Sequence, residues 1–416
     1  MDILSRINIF LQETFTFLGY KSSIAFCLFI FALSLTVHFV LLSYRQSRSL
    51  SIPGFLKRLI FLNAEKSEAG ALQVGGLVFS LVMMVAIYMI FVFFPELLTN
   101  HQAKILEVAS HSWIGILIYG YLDDMMELRP IVKLSLQLGA VFIFCLRVSN
   151  IIYPEHSALA FVILTVISSV IINGSNLLDG LDTLTYKVSS VIFFIFIVLA
   201  TLHQNMTVLF LSVVFFMNMS GFYFYNKEPS RVHMGETGVG SLGFSYVVLG
   251  TLLFENSRQS EDILVALAQC LIPSVLPIIE LGSSFLRRIL NNKSPLKGDK
   301  LHIHHILHLK SGFSASTSSS IIAATYLLFF AITYLLVGPA FPFSSIFIMV
   351  GITLCWYLGV GYRIWFNKSF TFDLIHIQGF LLKKKVRIIP SNILSDFKII
   401  VNADHSAERT SREQEK

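Results

Sequence analysis

The chain has 416 residues, 55% of them hydrophobic and only 13% charged, whereas soluble domains are about 25% charged, so an ordinary water-soluble fold is excluded. The net charge of +6 is not gathered into one basic face but scattered over short connections and a tail, which sets nucleic acid aside as a partner. Cys27, Cys145, Cys270 and Cys355 each fall inside an apolar run without metal spacing, and read as small core residues, not disulfides.

Residues before the first apolar run include Arg6, Glu13 and Lys21, without the short apolar core and small-residue cleavage site of a secretory signal, so this segment is expected to be retained. Apolar runs of membrane-crossing length follow near 22–44, 74–94, 105–122, 132–150, 158–173, 188–203, 207–225, 238–254, 262–286, 319–337 and 341–361. The ninth contains Pro273 and Pro277 together with Glu280, so it is expected to be kinked, with Glu280 turned to protein or water. Lys and Arg fall on the odd-to-even connections and the tail, leaving only Arg6, Lys21, Lys104 and Arg258 opposite and Arg147 inside a run. Short cytoplasmic loops carry the basic excess, so the N-terminus is expected outside and the C-terminus in the cytoplasm. The expected fold is an all-α integral membrane protein, a bundle of about eleven transmembrane helices over 1–361, followed by a basic cytoplasmic tail over 362–416. In that tail, Lys383-Lys384-Lys385 is expected to meet anionic head groups, and the stretch beyond Ala403 to be disordered.

Polar side chains at the end of a membrane-length run are costly unless they line a wet or enclosed site. The run ending near 173 leads straight into Asn173-Gly-Ser-Asn-Leu-Leu-Asp-Gly-Leu-Asp182. Asn173, Asn176, Asp179 and Asp182 recur every third residue, so consecutive members share one flank of a helix, and Gly174 and Gly180 let a ligand approach the backbone. Oxygen-only donors suit a hard cation such as Mg²⁺, although a polar helix cap explains the same residues without a ligand.

The basic-residue topology assigns four further groups to the same face. Asp123 and Asp124 close the third run, followed by Arg129 and Lys133; adjacent carboxylates need a cation or base, or else form a solvated acidic loop. His233-Met-Gly-Glu236-Thr-Gly-Val-Gly240 offers a glycine-rich turn before a helix, where backbone N–H groups suit a phosphate. In Ser294-Pro-Leu-Lys-Gly-Asp299-Lys-Leu-His302-Ile-His304-His305 the imidazoles, together with Lys297 and Lys300, suit a diphosphate; zinc is the rival, but the His-Glu-x-x-His spacing is missing and no cysteine is near. Gly75-Gly76 is explained by close packing as readily as by function. Gathered carboxylates at 123, 124, 179, 182 and 236 repel one another unless a divalent cation or basic partners offset them, which points to metal-assisted chemistry on phosphates.

In four ordered motifs between about 75 and 312, the chain resembles the polyprenyl-phosphate N-acetylhexosamine-1-phosphate transferases. Gly120-Tyr-Leu-Asp-Asp with Lys133 is similar to the family's paired-aspartate motif, and 173–182 to its nucleotide-binding motif. Ser294-Pro followed by His302-Ile-His-His305 is similar to the histidine loop of the GlcNAc-1-phosphate branch, whose eleven helices fit better than the ten of the phospho-MurNAc-pentapeptide translocase.

The resemblance implies a bacterial inner-membrane enzyme with its site on the cytoplasmic face. The phosphate of a polyprenyl (undecaprenyl) carrier would attack a UDP-N-acetylhexosamine, releasing UMP and starting a lipid-linked envelope glycan such as O-antigen. Mg²⁺ would be the cofactor, with Mn²⁺ as a substitute, and a homodimer is an open assembly. Asp123 or Asp124 would orient or deprotonate the lipid phosphate, and Lys133 would neutralise it. Asn173, Asn176, Asp179, Gly180 and Asp182 would hold the nucleotide end, His302, His304 and His305 the diphosphate, and Glu236 with Asp124 the metal. The chain departs from the family where Gly235-Glu236-Thr-Gly238-Val239 replaces Gly-Asp-x-Gly-Ser, and where Gly70-Ala-Leu-Gln73 lacks a proline and an arginine. That departure supports one alternative, a relative that binds carrier or nucleotide sugar without turnover as a scaffold or regulator. A transporter would instead carry ionisable groups near mid-membrane, where only Glu280 and Arg147 lie. On the family pattern alone, Glu236→Asp is expected to leave transferase activity equal or higher.

Overall fold

The computed structural model describes residues 20–47, 71–257, 263–295, 298–299, 301–337 and 342–365. Lys66, Gly70, Lys297, Lys300, the Lys383-Lys384-Lys385 cluster and the tail from 366 onward lie outside the described residues. The helices are α1 Tyr20–Ser47, α2 Gly75–Phe93, α3 Asn100–Met126, α4 Pro130–Ile152, α5 Ser157–Asn176, α6 Leu184–Leu202, α7 Met206–Asn226, α8 Gly235–Ser257, α9 Ile263–Leu271, α10 Val275–Leu290, α11 Ala315–Val337 and α12 Pro342–Trp365. Eleven spans among the described residues are long and apolar enough to cross a membrane, one for each expected run. The ninth is α9 and α10 together, broken by the turn Ile272–Ser274 where Pro273 removes a backbone donor. The described residues contain no sheet, only an isolated bridge between Leu72 and Val232. Each helix closes its own backbone hydrogen bonds, as a lipid environment requires.

α8 is the centre of the bundle, with nearly every residue from Thr237 to Ser257 buried. Its sequence makes this position available. Hydrocarbon supplies no hydrophobic force between helices, so close packing rests on small residues, and α8 has one for several of its neighbours. A Cβ at Gly243 would lie 2.7 Å from Ile172 Cα of α5, one at Gly240 2.7 Å from the Tyr119 hydroxyl of α3, and one at Gly238 2.5 Å from Gly76 Cα of α2. Between these contacts Phe244 packs edge-on against Trp113 and Phe144. The outer helices carry the exposed apolar side chains, among them Phe29 and Phe39 on α1, Phe142 on α4 and Val162 on α5, as lipid-facing surfaces do.

Hydrogen bonds across the bundle gather the odd-to-even connections at one end. Leu72 N donates to Arg231 O and His233 N to Leu72 O, while Gly75 N and Gly76 N donate to His233 O and Met234 O. Gly75 and Gly76 are thus explained by packing, since the segment opening α2 lies against the segment opening α8. At the other end, Thr99 caps α3 through a reciprocal pair with Gln102, and Thr207 bonds both Gln102 and Leu97 O.

The Gly76–Gly238 contact yields a test. A Cβ at Gly76 would sit 2.1 Å from Gly238 N, backbone that cannot move aside, whereas nothing lies within 4 Å of one at Gly139. Gly76→Ala is expected to destabilise by about 1–3 kcal/mol, as overpacking does. Gly139→Ala is expected to be neutral or stabilising by up to about 1 kcal/mol. Thermal unfolding in detergent measures both.

Candidate active site

The end of the bundle where α2 and α8 begin holds the acidic residues. Asp123, 6% exposed, ends α3 and accepts from Leu128 N at 2.8 Å, which ties it to the left-handed turn at Glu127. Its other oxygen lies 2.9 Å from the ammonium of Lys133, one turn into α4. The same ammonium bonds Glu236 Oε2, and the other Glu236 oxygen accepts from Asn176 Nδ2 at 3.2 Å. Lys133 and Glu236 therefore join the ends of α3, α4, α5 and α8.

Asp124 faces the first turn of α8. Its Oδ1 accepts from Glu236 N at 2.8 Å, and its Oδ2 from Thr237 N at 3.0 Å and the Thr237 hydroxyl at 2.6 Å. An anion is favoured at a helix N-terminus, where unpaired N–H groups and the helix dipole converge. Gly235 makes the approach feasible. Its φ is +70°, and a Cβ there would lie 3.0 Å from Asp124 Oδ1. The N–H groups expected to cradle a phosphate in this glycine-rich turn are thus occupied by a side chain of the protein itself.

The 173–182 stretch divides. α5 ends at Asn176, and bonds from Leu178 N to Ser175 O and Asp179 N to Asn176 O turn the chain, so Asp179 and Asp182 stand on a loop and not along the helix flank expected from their spacing. Asn173 turns away from the acidic cluster and donates to Gln137 Oε1 and Ser169 O. Asp182 accepts from Ser230 N at 3.0 Å, bracing the loop before α8. Asp179, partly buried, accepts from the Thr185 hydroxyl. Burial pushes its carboxyl up to about 6, the Thr185 hydroxyl and His233 opposing and the Glu236 and Asp124 charges adding to the rise. Asp179 thus belongs electrostatically to the cluster.

The histidine loop closes over Gly180, where a Cβ would lie 2.1 Å from His304 Nε2. His304 is 1% exposed, with neither ring nitrogen hydrogen-bonded, and its centroid lies 4.1 Å from that of His305. Burial, then the neighbouring imidazoles of His305, His302 and His308, hold it well below the ordinary histidine value. It is a neutral ring at pH 7, able to exchange hydrogen bonds but carrying no charge. His302 is also buried, with Nδ1 2.6 Å from Glu280, so it anchors the loop. Burial raises Asp299, but hydrogen bonds and charge from Arg287 and Arg288 outweigh it and leave the carboxyl below its ordinary value.

One contributor was not singled out by its spacing. Asn226, buried at the end of α7, accepts from Thr183 N and donates to Val232 O, pinning together the loops that carry Asp182 and Glu236. Its only signal in the sequence is that it is an amide ending an apolar run, which by the cost of polar groups there is already a marker.

A divalent cation fits the chemistry of this donor set. Asp123 and Glu236 share the Lys133 ammonium, Asp124 and Asp179 belong to the same acidic cluster, and every donor is a hard oxygen suited to Mg²⁺. No ready-made group of three ligands is present among the described residues. Lys133 occupies Glu236, and the α8 N-terminus occupies Asp124.

Residues 105–254 match the glycosyl transferase family 4. Over 247 residues, the chain is 32% identical to the probable undecaprenyl-phosphate N-acetylglucosaminyl 1-phosphate transferase of Bacillus subtilis (strain 168), covering 56% of this chain and 66% of that protein. It is 30% identical over 221 residues to the phospho-N-acetylmuramoyl-pentapeptide-transferase of Streptococcus uberis, covering 48% and 63%. The enzyme of that name from Streptococcus pneumoniae serotype 2 is 29% identical over 197 residues, covering 43% and 58%. The chain thus spans less than two thirds of the length of each of these relatives.

Two expectations follow from the geometry. Asp124→Ala removes every acceptor at the start of α8 and is expected to lower stability by about 1–2 kcal/mol in detergent unfolding. Asp179 is protonated below pH 6 and ionised above it, so its attraction for a cation grows as pH rises through about 6. Mn²⁺ binding, followed by electron paramagnetic resonance, is expected to strengthen across that range in the wild type and to lose that step in Asp179→Asn.

Proposed function

The chain belongs to glycosyl transferase family 4, and from that premise we propose that it transfers an N-acetylhexosamine 1-phosphate from a UDP-sugar to polyprenyl phosphate, releasing UMP. The observation that carries this reading is the Lys133 ammonium held between Asp123 and Glu236, in an acidic cluster where a phosphorylated substrate would need a cation. The names of the relatives, an undecaprenyl-phosphate N-acetylglucosaminyl 1-phosphate transferase and two phospho-N-acetylmuramoyl-pentapeptide-transferases, supply the substrate class. The bacterial inner membrane is the proposed location, with the site facing the cytoplasm and the N-terminus outside. Lys and Arg on the site-side connections support that orientation.

In this reading the acceptor is a lipid phosphate whose oxygen attacks the β-phosphorus of the UDP-sugar, breaking the bond to the UMP oxygen. Asp123 is the group placed to orient or deprotonate the acceptor, since it is buried and already shares the Lys133 proton network. Lys133 offsets negative charge on the phosphate oxygens, the contribution that dominates phosphoryl transfer. Asp124 also fixes the start of α8 and so the position of Glu236. Asn176, Asp179 and Gly180 line the approach to His304, which as a neutral imidazole would bond the diphosphate without adding charge. Mg²⁺, with Mn²⁺ as a substitute, would be held by Glu236 and Asp124 and would neutralise the diphosphate and the leaving UMP. Asp182 braces the loop before α8, and Asn173 ties α5 to α4.

The test is UMP release by purified protein given undecaprenyl phosphate, Mg²⁺ and a panel of UDP-sugars. Wild type is expected to turn over a UDP-N-acetylhexosamine, and Lys133→Met to lose about a hundredfold or more in kcat. The two oxygens of Glu236 are engaged by Lys133 and Asn176. Shortened to Asp, it could not keep Lys133 and Asn176 together, so Glu236→Asp is expected to lower turnover by about tenfold, not to raise it as the family pattern suggests. Turnover by Lys133→Met at the wild-type rate would contradict the assignment.

A further inference from the structure

α12 contributes to none of the motifs, yet it reaches the histidine loop through one buried carboxylate. Glu280, on α10, is 1% exposed. One of its oxygens accepts the hydroxyl of Tyr357 from α12, and the other lies 2.6 Å from His302 Nδ1. Ser284 Oγ stands 3.3 Å from the same nitrogen. An ionised carboxylate only accepts, so in its pairing with Glu280 the Nδ1 of His302 is the donor, while Asp299 Oδ1 lies 3.7 Å from Nε2 of the same ring. The ring so fixed lies parallel to that of His304, with centroids 5.5 Å apart and planes 4° apart. Burying Glu280 is costly unless its oxygens are satisfied, and Tyr357 and His302 supply the two donors.

We propose that Tyr357 and Glu280 are positioning residues for the histidine loop: the Tyr357 hydroxyl orients the Glu280 carboxylate, which orients His302 and, by stacking, His304. The last span thereby bears on a site built from the earlier helices. The idea rests on the proposed transferase reading only where it calls the loop substrate-binding; the chain of contacts from α12 to His304 is independent of it.

Two variants and two readouts test it. Tyr357→Phe removes one oxygen and keeps the ring packed against Trp356, and Glu280→Gln keeps the shape but not the charge. The first readout is carbethoxylation of His304 and His305 by diethyl pyrocarbonate, followed by peptide mass spectrometry in the full-length protein. Modification is expected to be several-fold faster in both variants, while Tyr357→Phe unfolds at a somewhat lower temperature for the donor it takes from a buried carboxylate. The second readout is steady-state kinetics. kcat/KM for the UDP-sugar is expected to fall by about tenfold, the worth of one hydrogen bond to a buried charged group, while KM for polyprenyl phosphate stays put. If Tyr357 acts through Glu280, the double variant is no worse than Glu280→Gln alone. Wild-type modification rates in Tyr357→Phe, or losses that add in the double variant, would overturn the proposal. If the wild type turns over no substrate, the transferase reading fails, and the modification rates alone decide whether α12 holds the loop.

Discussion

One ammonium group holds the site together. Lys133 meets carboxylates from α3 and α8 at once, and without it four acids brought to one end of an apolar bundle would repel one another. A carboxylate pair enclosing a lysine is a weak source of stability, because desolvation offsets most of the attraction. The arrangement makes better sense as a site held ready for a polyanion. A phosphorylated substrate arriving with a divalent cation could draw Lys133 onto its own oxygens and leave Glu236 to the metal.

The cluster depends in turn on how closely α8 is packed. Its small residues let Gly76, Tyr119 and Ile172 approach to backbone distance, and that approach sets its first turn beside Asp124. The carboxylate then accepts the Glu236 and Thr237 N–H groups in the first turn of the helix, so donors that would otherwise attract an external anion are satisfied from within.

The helices and the face of the site were readable from residue order because they rest on local rules. Apolar run length gave eleven spans, and polar residues at run ends marked Asp123, Asp124, Asn176, Asp179 and Glu236 before any contact was known. The partners were not readable. The period of three over 173–182 suggested one continuous helical flank, but the helix stops at Asn176, and Asn173 points to Gln137, a choice made by the neighbouring α4. Nothing near Asp124 in the chain announces that it caps a helix beginning more than a hundred residues later. Glu280 carried a signal as a lone acid in a span, but its partners His302 and Tyr357 lie 22 and 77 residues away. Glu236 looked like a loss against the family pattern, yet its extra methylene carries its oxygens to both Lys133 and Asn176.

The central claim is that excess carboxylate around a single lysine makes the site receptive to a nucleotide diphosphate only when a divalent cation accompanies it. Calorimetric titration of purified wild-type protein with UDP-N-acetylglucosamine, with Mg²⁺ and then with excess EDTA, tests this most directly. The account predicts a saturating isotherm with Mg²⁺ and its loss under EDTA; equal affinity in the two conditions would contradict it.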